Sequence, residues 1–358
     1  MNKVVSLFSG GGGLDIGFKD AGFNIIWAID NNKSATATYR ANVGDHIVLA
    51  DINKIQPNTI PKCDVVIGGP PCQSFSLAGN RNPEDKRGHL VWVYMDIIET
   101  LRPKAFLFEN VIGLLSAKNE NGEKVFPLLE KEFASLGYCI SSKIVNAADY
   151  GVPQLRKRVI IVGMLGNIKF EFPPPTHGSD RTAYVSVSDA LSDLPKATVN
   201  NAALSYTADA RTKFQRNIRK GSTEVTDHYV PSLSELDKYI IAHVKPGGNY
   251  MDIPQDVKSK RIRRLQQEGG HTTCYGRLNP NKPSYTINTN FNRPNVGCNI
   301  HYKEDRLITI REALRLQAFP DKYRIISTNK SGYNTITGNA VPPLLAKALA
   351  EALKEQIC

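Results

Sequence analysis

The chain has no run of eighteen apolar residues, so no membrane-spanning helix is expected. Its six cysteines, Cys63, Cys72, Cys139, Cys274, Cys298 and Cys358, lie far apart and contain no Cys-x-x-Cys. In a chain this long without a secretory signal, a disulfide framework is not expected. The N-terminus runs through only Met1 to Phe8 before a glycine run. That is too short for a signal peptide and reads as a first strand, so a cytoplasmic location is expected. Internal repeats and a low-complexity tail are also missing. Acidic residues are the scarcer charge, 34 against 45 lysines and arginines, leaving a formal charge of +11. Such a balance favours polyanionic partners, nucleic acid above all. What is present is a 358-residue chain, 41% hydrophobic, long enough for two domains and a large core.

The first half alternates short apolar strands with helical stretches. Strands are expected at 4–8, 25–29, 47–50, 65–68, 105–108, 142–145 and 159–162, with helices at 91–101 and 124–136. Several of these strands are continuous apolar runs, as a parallel sheet covered on both faces requires. The expected fold class is therefore α/β, a doubly wound Rossmann-like domain. After Phe172 three consecutive prolines break the pattern, and periodicity stays poor from Thr176 to Asn290. Helical spacing returns at 310–319 and at 343–356, where Pro342 and Pro343 suit a helix start.

Two loops carry candidate chemistry. The first strand runs into Ser9-Gly10-Gly11-Gly12-Gly13-Leu14-Asp15. Glycines at a strand-to-helix turn let the backbone approach a ligand, and the helix beyond offers free N–H groups. Asp30 ends the next strand, where a dinucleotide fold places the acid for ribose hydroxyls. Asp51 follows the third strand, within reach of an adenine amino group. These residues imply a nucleoside ligand and leave NAD and S-adenosylmethionine open. The fourth strand ends in Gly68-Gly69-Pro70-Pro71-Cys72-Gln73-Ser74-Phe75-Ser76. Prolines stiffen the approach to the cysteine. The fifth strand brings Glu109 to the same rim, and a thiolate with a carboxyl group there makes a covalent site. Strand alternation places Arg156 and Arg158 on one face, where two guanidiniums can clamp a carbonyl or phosphate oxygen.

Taken in order, these segments resemble the cytosine-5 DNA methyltransferase family over nearly the whole chain. The matching segments are Phe8–Asp15, Asp51-Ile52, Gly69–Ser76, Arg87–Leu90, Glu109-Asn110-Val111, Gln154-x-Arg156-x-Arg158, Arg311–Asp321 and Gly338–Pro343. The resemblance implies an S-adenosylmethionine-dependent methyltransferase domain, 1–185 with 325–358, and a smaller irregular target-recognition domain with hinge, 186–324. It implies that Cys72 attacks cytosine carbon 6, that Glu109 holds N3 and the exocyclic amine, and that Arg158 with Arg156 orients the base. The cofactor pocket would comprise Phe8, Ser9, Gly10, Gly12, Gly13, Asp30, Asn31, Asp51, Ile52, Pro71, Leu90, Asn339 and Val341. Where the family often has Glu, this chain has Asp30, one methylene shorter.

Double-stranded DNA is the expected partner. Ser76, Arg81, Arg87 and the basic cluster Lys260, Arg261, Arg263 and Arg264 are expected to contact it. A cognate restriction endonuclease acting on the same site is a further partner the resemblance admits, and a monomer is expected. An NAD-dependent oxidoreductase would leave the cysteine loop, Glu109 and the arginines idle. Relatives acting on transfer RNA share the core motifs, but the long middle region favours a DNA reader. His271-x-x-Cys274 and Cys298-x-x-His301 have zinc-like spacing; the resemblance requires no metal, and none is expected.

Overall fold

The computed structural model describes residues 1–71, 89–119, 121–200 and 202–357. Contacts divide the chain into two units. One contains 1–146, 157–174 and 345–358; the other contains 147–156 and 175–344.

The first unit is built on a seven-stranded sheet. Its strands are β1 (Lys3–Leu7), β2 (Asn24–Asp30), β3 (Ile47–Leu49), β4 (Val65–Gly68), β5 (Ala105–Val111), β6 (Tyr138–Asn146) and β7 (Lys157–Leu165). They are ordered β3-β2-β1-β4-β5-β7-β6. All neighbours are parallel except β7, which is antiparallel to both β5 and β6. Helices α1 (Gly13–Asp20), α2 (Lys33–Asn42), α3 (His89–Leu101) and α4 (Val125–Ser135) follow β1, β2, β4 and β5. The apolar runs of β4 and β5 are buried from end to end in Val65–Gly68 and Ala105–Phe108, as expected for strands covered on both faces. On one side Tyr94 of α3 meets Phe106, Phe108 and Phe133 edge-on, at centroid distances of 5.4–6.3 Å. Such contacts add to the burial of the rings themselves. Two strands are longer than the sequence pattern suggests. β6 and β7 pair along nine residues, and that ladder, rather than apolarity, defines their ends.

The chain order reverses between β1 and β4. In open α/β sheets such a reversal is where ligands bind, at the carboxyl ends of the strands beside it.

The second unit is less regular. Helices α5 (Val187–Leu191), α6 (Lys213–Ile218), α7 (Glu235–His243), α8 (Lys260–Glu268), α9 (Ile310–Leu316) and α10 (Lys330–Asn339) are interspersed with β8 (Leu204–Ser205), β9 (Glu224–Val225), β10 (Gly276–Arg277) and β11 (Cys298–Ile300). Sequence spacing carries α9 on to 319; the helix stops at Leu316, and Ala318 turns the backbone left-handed at φ 59°. A small core gathers Ile240, Ile241, Tyr250, Ile253, Ile262 and Leu307. The last helix, α11 (Pro343–Gln356), returns residues 345–358 to the first unit, where Lys354 Nζ donates to Ala21 O at 2.9 Å.

Candidate active site

Register brings the candidate residues to one rim. Leu7 lies opposite Ile29 on one side and Gly68 on the other, and Gly68 lies opposite Phe108. Asp30, Phe8, Gly69 and Glu109 therefore follow one another along the carboxyl ends of neighbouring strands.

After β1 the backbone turns sharply. Phe8, Gly10 and Gly12 all have positive φ, at 55°, 55° and 86°. Ser9 is fixed by its N–H donating to Ile29 O at 3.1 Å and its hydroxyl to Ser6 Oγ at 2.9 Å. The Asp30 carboxylate receives Gly10 N–H on Oδ2 at 2.9 Å and Asn32 N–H on Oδ1 at 2.8 Å. Burial raises its pKa, and those backbone N–H groups oppose the shift. A β-carbon on Gly12 would stand 2.6 Å from Val43 Cγ2, whereas one on Gly10 would meet nothing within 4 Å. Bare backbone thus faces open space at Gly10 beside an anchored carboxylate. No side chain caps α1, whose N-cap is Gly12 and which begins at Gly13. Open backbone, an acid and uncapped N–H groups fit a nucleoside ligand such as S-adenosylmethionine. Asp15 sits directly below, completely buried, and accepts Tyr39 O–H at 2.8 Å.

Of the other expected pocket residues, Asn31 and Asp51 are exposed, Ile52 is buried and Leu90 is half-buried on α3. Asp51 Oδ1 accepts Asn53 N–H at 3.0 Å and so caps a short 3-10 turn. Pro71 is exposed. Asn339 ends α10 and Val341 precedes α11; both belong to the second unit.

Glu109 and Arg158 meet across β5 and β7, with Arg158 Nε 2.8 Å from Glu109 Oε1 and each side chain only 12% exposed. On the other side Gly69 presses against the same carboxylate: a β-carbon there would lie 2.7 Å from Glu109 Oε2. Asn110 is buried, and its Nδ2 donates to Pro70 O at 3.1 Å. The side chain beside Glu109 therefore tethers the Pro70-Pro71 segment. Gly69 and Asn110 escape a reading by residue type, because neither is a reactive group. Gly69 had one visible signal, its place before two prolines at a strand end.

Arg156 departs from the expectation. Strand β7 begins at Lys157, so Arg156 is not on the strand face that carries Arg158. Its side chain is buried, Nη1 donating to Ile287 O at 3.0 Å and Nη2 to Gly338 O at 2.9 Å. A guanidinium committed to backbone carbonyls organises its own unit. Cys72, Ser76, Arg81 and Arg87 lie outside the described residues. Lys260, Arg261, Arg263 and Arg264 are exposed on α8.

His301, of the zinc-like pair, accepts Lys303 N–H at 3.2 Å and Glu304 N–H at 2.9 Å on Nδ1. Among the described residues no cluster of three or more His, Cys, Asp or Glu could hold a metal ion. Among the same residues no helix is long and apolar enough to cross a membrane.

Comparison with known proteins bears on this geometry. The model of the C-5 cytosine-specific DNA methylase family matches residues 2–355. The Type II methyltransferase M.NgoFVII of Neisseria gonorrhoeae is 35% identical, over 98% of this chain and 86% of that protein. M.AgeI of Thalassovita gelatinovora is 32% identical, over 99% of this chain and 100% of its own. Among solved structures, a protein encoded within an E. coli prophage matches with TM-score 0.77 and 25% identity, covering 99% of both chains. The S. pombe Dnmt2 methyltransferase matches with TM-score 0.60 and 18% identity, again over 99% of both, which shows a shared Rossmann-like methyltransferase fold.

Proposed function

The chain belongs to the C-5 cytosine-specific DNA methylase family and is a DNA (cytosine-5-)-methyltransferase; from that premise we propose that it methylates carbon 5 of one cytosine within a short double-stranded DNA sequence, through covalent addition of Cys72. Its Type II relatives support a place in a restriction-modification system, alone or beside a cognate endonuclease. The unit holding the sheet would be catalytic, and the irregular unit would read the target.

The observation that carries the reading is the Glu109–Arg158 pair at 2.8 Å, against Gly69 and the Pro70-Pro71 segment that leads into Cys72. Carbon 5 of cytosine is a poor nucleophile. Addition of the Cys72 thiolate at carbon 6 forms a carbon–sulfur bond and makes carbon 5 enamine-like. Glu109 would hold N3 and the exocyclic amine and absorb the developing charge. Arg158 fixes the Glu109 carboxylate and would orient the base through its O2. Phe8, Gly10, Asp30 and the start of α1 would hold S-adenosylmethionine, which supplies an electrophilic methyl group when bound. Loss of the carbon 5 proton then lets Cys72 depart by elimination. The target base must first leave the stack, at a cost of a few kcal/mol that phosphate contacts offset.

The test is transfer of labelled methyl groups from S-adenosylmethionine to unmethylated DNA, wild type beside Cys72→Ala, followed by bisulfite sequencing. Label on cytosine within one recurring sequence, absent in the variant, is expected. Label on transfer RNA instead of DNA, or a fully active variant, would sink the reading.

A further inference from the structure

Residues Lys245-Pro246-Gly247-Gly248-Asn249-Tyr250-Met251-Asp252-Ile253 form a tightly bonded turn in the second unit. Gly248 N–H donates to Lys245 O at 2.8 Å, and Asp252 N–H to Asn249 O at 3.0 Å. Met251 N–H donates to Asn249 Oδ1 at 3.0 Å, and Lys245 N–H to Asp252 Oδ2 at 3.3 Å. Tyr250 is buried, its hydroxyl donating to Gly270 O at 3.3 Å. From α8, Gln266 Nε2 donates both to Tyr250 O at 3.1 Å and to Ile253 O at 2.6 Å, the carbonyls on either side of the Met251 segment. The backbone is thus braced on both sides, yet the Met251 side chain is 61% exposed.

One exposed apolar residue is ordinary on a protein surface. Its setting is not. The helix that braces the turn carries Lys260, Arg261, Arg263 and Arg264 on its outer face, all exposed, while Ile262 is buried beneath. Arg264 pairs with Glu268 at 2.8 Å; among the described residues Lys260, Arg261 and Arg263 form no ion pair. A rigid apolar tip bonded directly to a cationic helix matches a polyanion that also presents an apolar group. Duplex DNA does so through phosphates and, in the major groove, the thymine methyl, the one apolar group its base edges offer there.

We propose that α8 and the Met251 turn form one DNA-reading surface, in which the α8 cations grip phosphates and Met251 contacts a thymine methyl of the recognition sequence. This rests on the reading of the chain as a DNA methyltransferase. The contact makes Met251 a specificity residue, whereas Lys260 and Arg263 supply affinity without sequence preference.

The full chain and its Met251→Ala and Lys260→Ala/Arg263→Ala variants are selected on a randomised duplex pool, and bound DNA is sequenced. Thermal melting checks that each variant folds. In competition binding of the selected duplex against the same duplex with uracil in place of thymine, wild type should prefer thymine at one position of its site by about fourfold. Met251→Ala should lose that preference and keep the wild-type salt dependence. The double variant should keep the sequence profile and bind all duplexes more weakly, with a salt slope flatter by about 2. An unchanged profile in Met251→Ala, or a wild type indifferent to uracil, overturns the proposal. Methyl transfer is read on the same duplexes: failure of transfer with the binding pattern intact strikes the proposed chemistry and leaves this surface standing.

Discussion

Glu109 is held between groups of opposite character. Arg158 draws Oε1 with a charge-assisted bond of 2.8 Å, and the backbone of Gly69 leaves just enough room for Oε2. Adding a methyl group at Gly69 would force the carboxylate away from Arg158, because the new β-carbon would stand 2.7 Å from Oε2. Gly69→Ala should therefore lower kcat by on the order of 100-fold, the scale of a misplacement of about 1 Å. The Kd for S-adenosylmethionine should stay within a factor of two or so, since the glycine loop is untouched. Calorimetry beside single-turnover kinetics checks both; a weakened cofactor Kd with normal chemistry would refute the account. Asp15 offers a different test. Burial pushes its pKa up to about 6, against the opposing bond from Tyr39. A carboxyl group raised on folding stabilises the protein fully below its unfolded pKa, and that contribution is lost as pH rises to the folded value. Between pH 4 and pH 7 the loss amounts to about 2 kcal/mol. Asn keeps an acceptor for Tyr39 and cannot ionise, so Asp15→Asn should gain that amount relative to wild type as pH rises through this window. Denaturant unfolding at both pH values measures it, and parallel pH profiles for the two proteins would count against it.

Elements differ in how plainly their residues announce them. β4 and β5 are legible because both faces of each are buried, so every residue of Val65–Gly68 and Ala105–Phe108 is apolar or glycine. The rim of loops that follows was legible too, since glycines, prolines and acids cluster at strand ends. Arg156 escapes strand alternation because β7, paired with β6 from Lys157 onward, begins one residue after it. The second unit was hardest to read. Its strands β8, β9 and β10 have two residues each, too few for any period to show. In place of alternating apolar faces, buried guanidiniums tie its segments together. Arg277 donates to the carbonyls of Ile241, Val244, His301 and Glu304. On α9, Arg315 makes a two-pronged bond with Asp321 at 2.8 and 2.6 Å and also pairs with Asp193. A charge in the sequence reads as surface, and only the fold reveals the partner. Removing one member of such a buried set strands the others. Arg315→Leu should destabilise the protein by about 3–5 kcal/mol, because buried Asp321 then loses the guanidinium it is paired with and Asp193 keeps only Arg219, at 3.2 Å. A chemical-denaturation loss below about 1 kcal/mol would mean water reaches those carboxylates and the network is not structural.

The whole molecule carries a formal charge of +11, and that excess acts differently on its two tasks. In the proposed reading, holding DNA would rest on exposed cations such as those of α8, whose fields fade over about 8 Å at physiological salt. In the proposed mechanism, chemistry on the base would rest on Glu109 and Arg158, each 12% exposed and in direct contact, a pair that mobile ions screen far less. Salt should therefore separate affinity from turnover. Each phosphate neutralised releases counterions, so a chain contacting six or more should lose at least about a thousandfold in duplex affinity between 50 and 200 mM salt. At saturating DNA, kcat should move less than about threefold over the same range, because the pair at the rim keeps its geometry. Steady-state methyl transfer on a short duplex across that range resolves KM from kcat. A kcat that collapses in step with affinity would mean that ions reach the Glu109–Arg158 pair, and the carboxylate could then no longer be regarded as fixed before the base arrives.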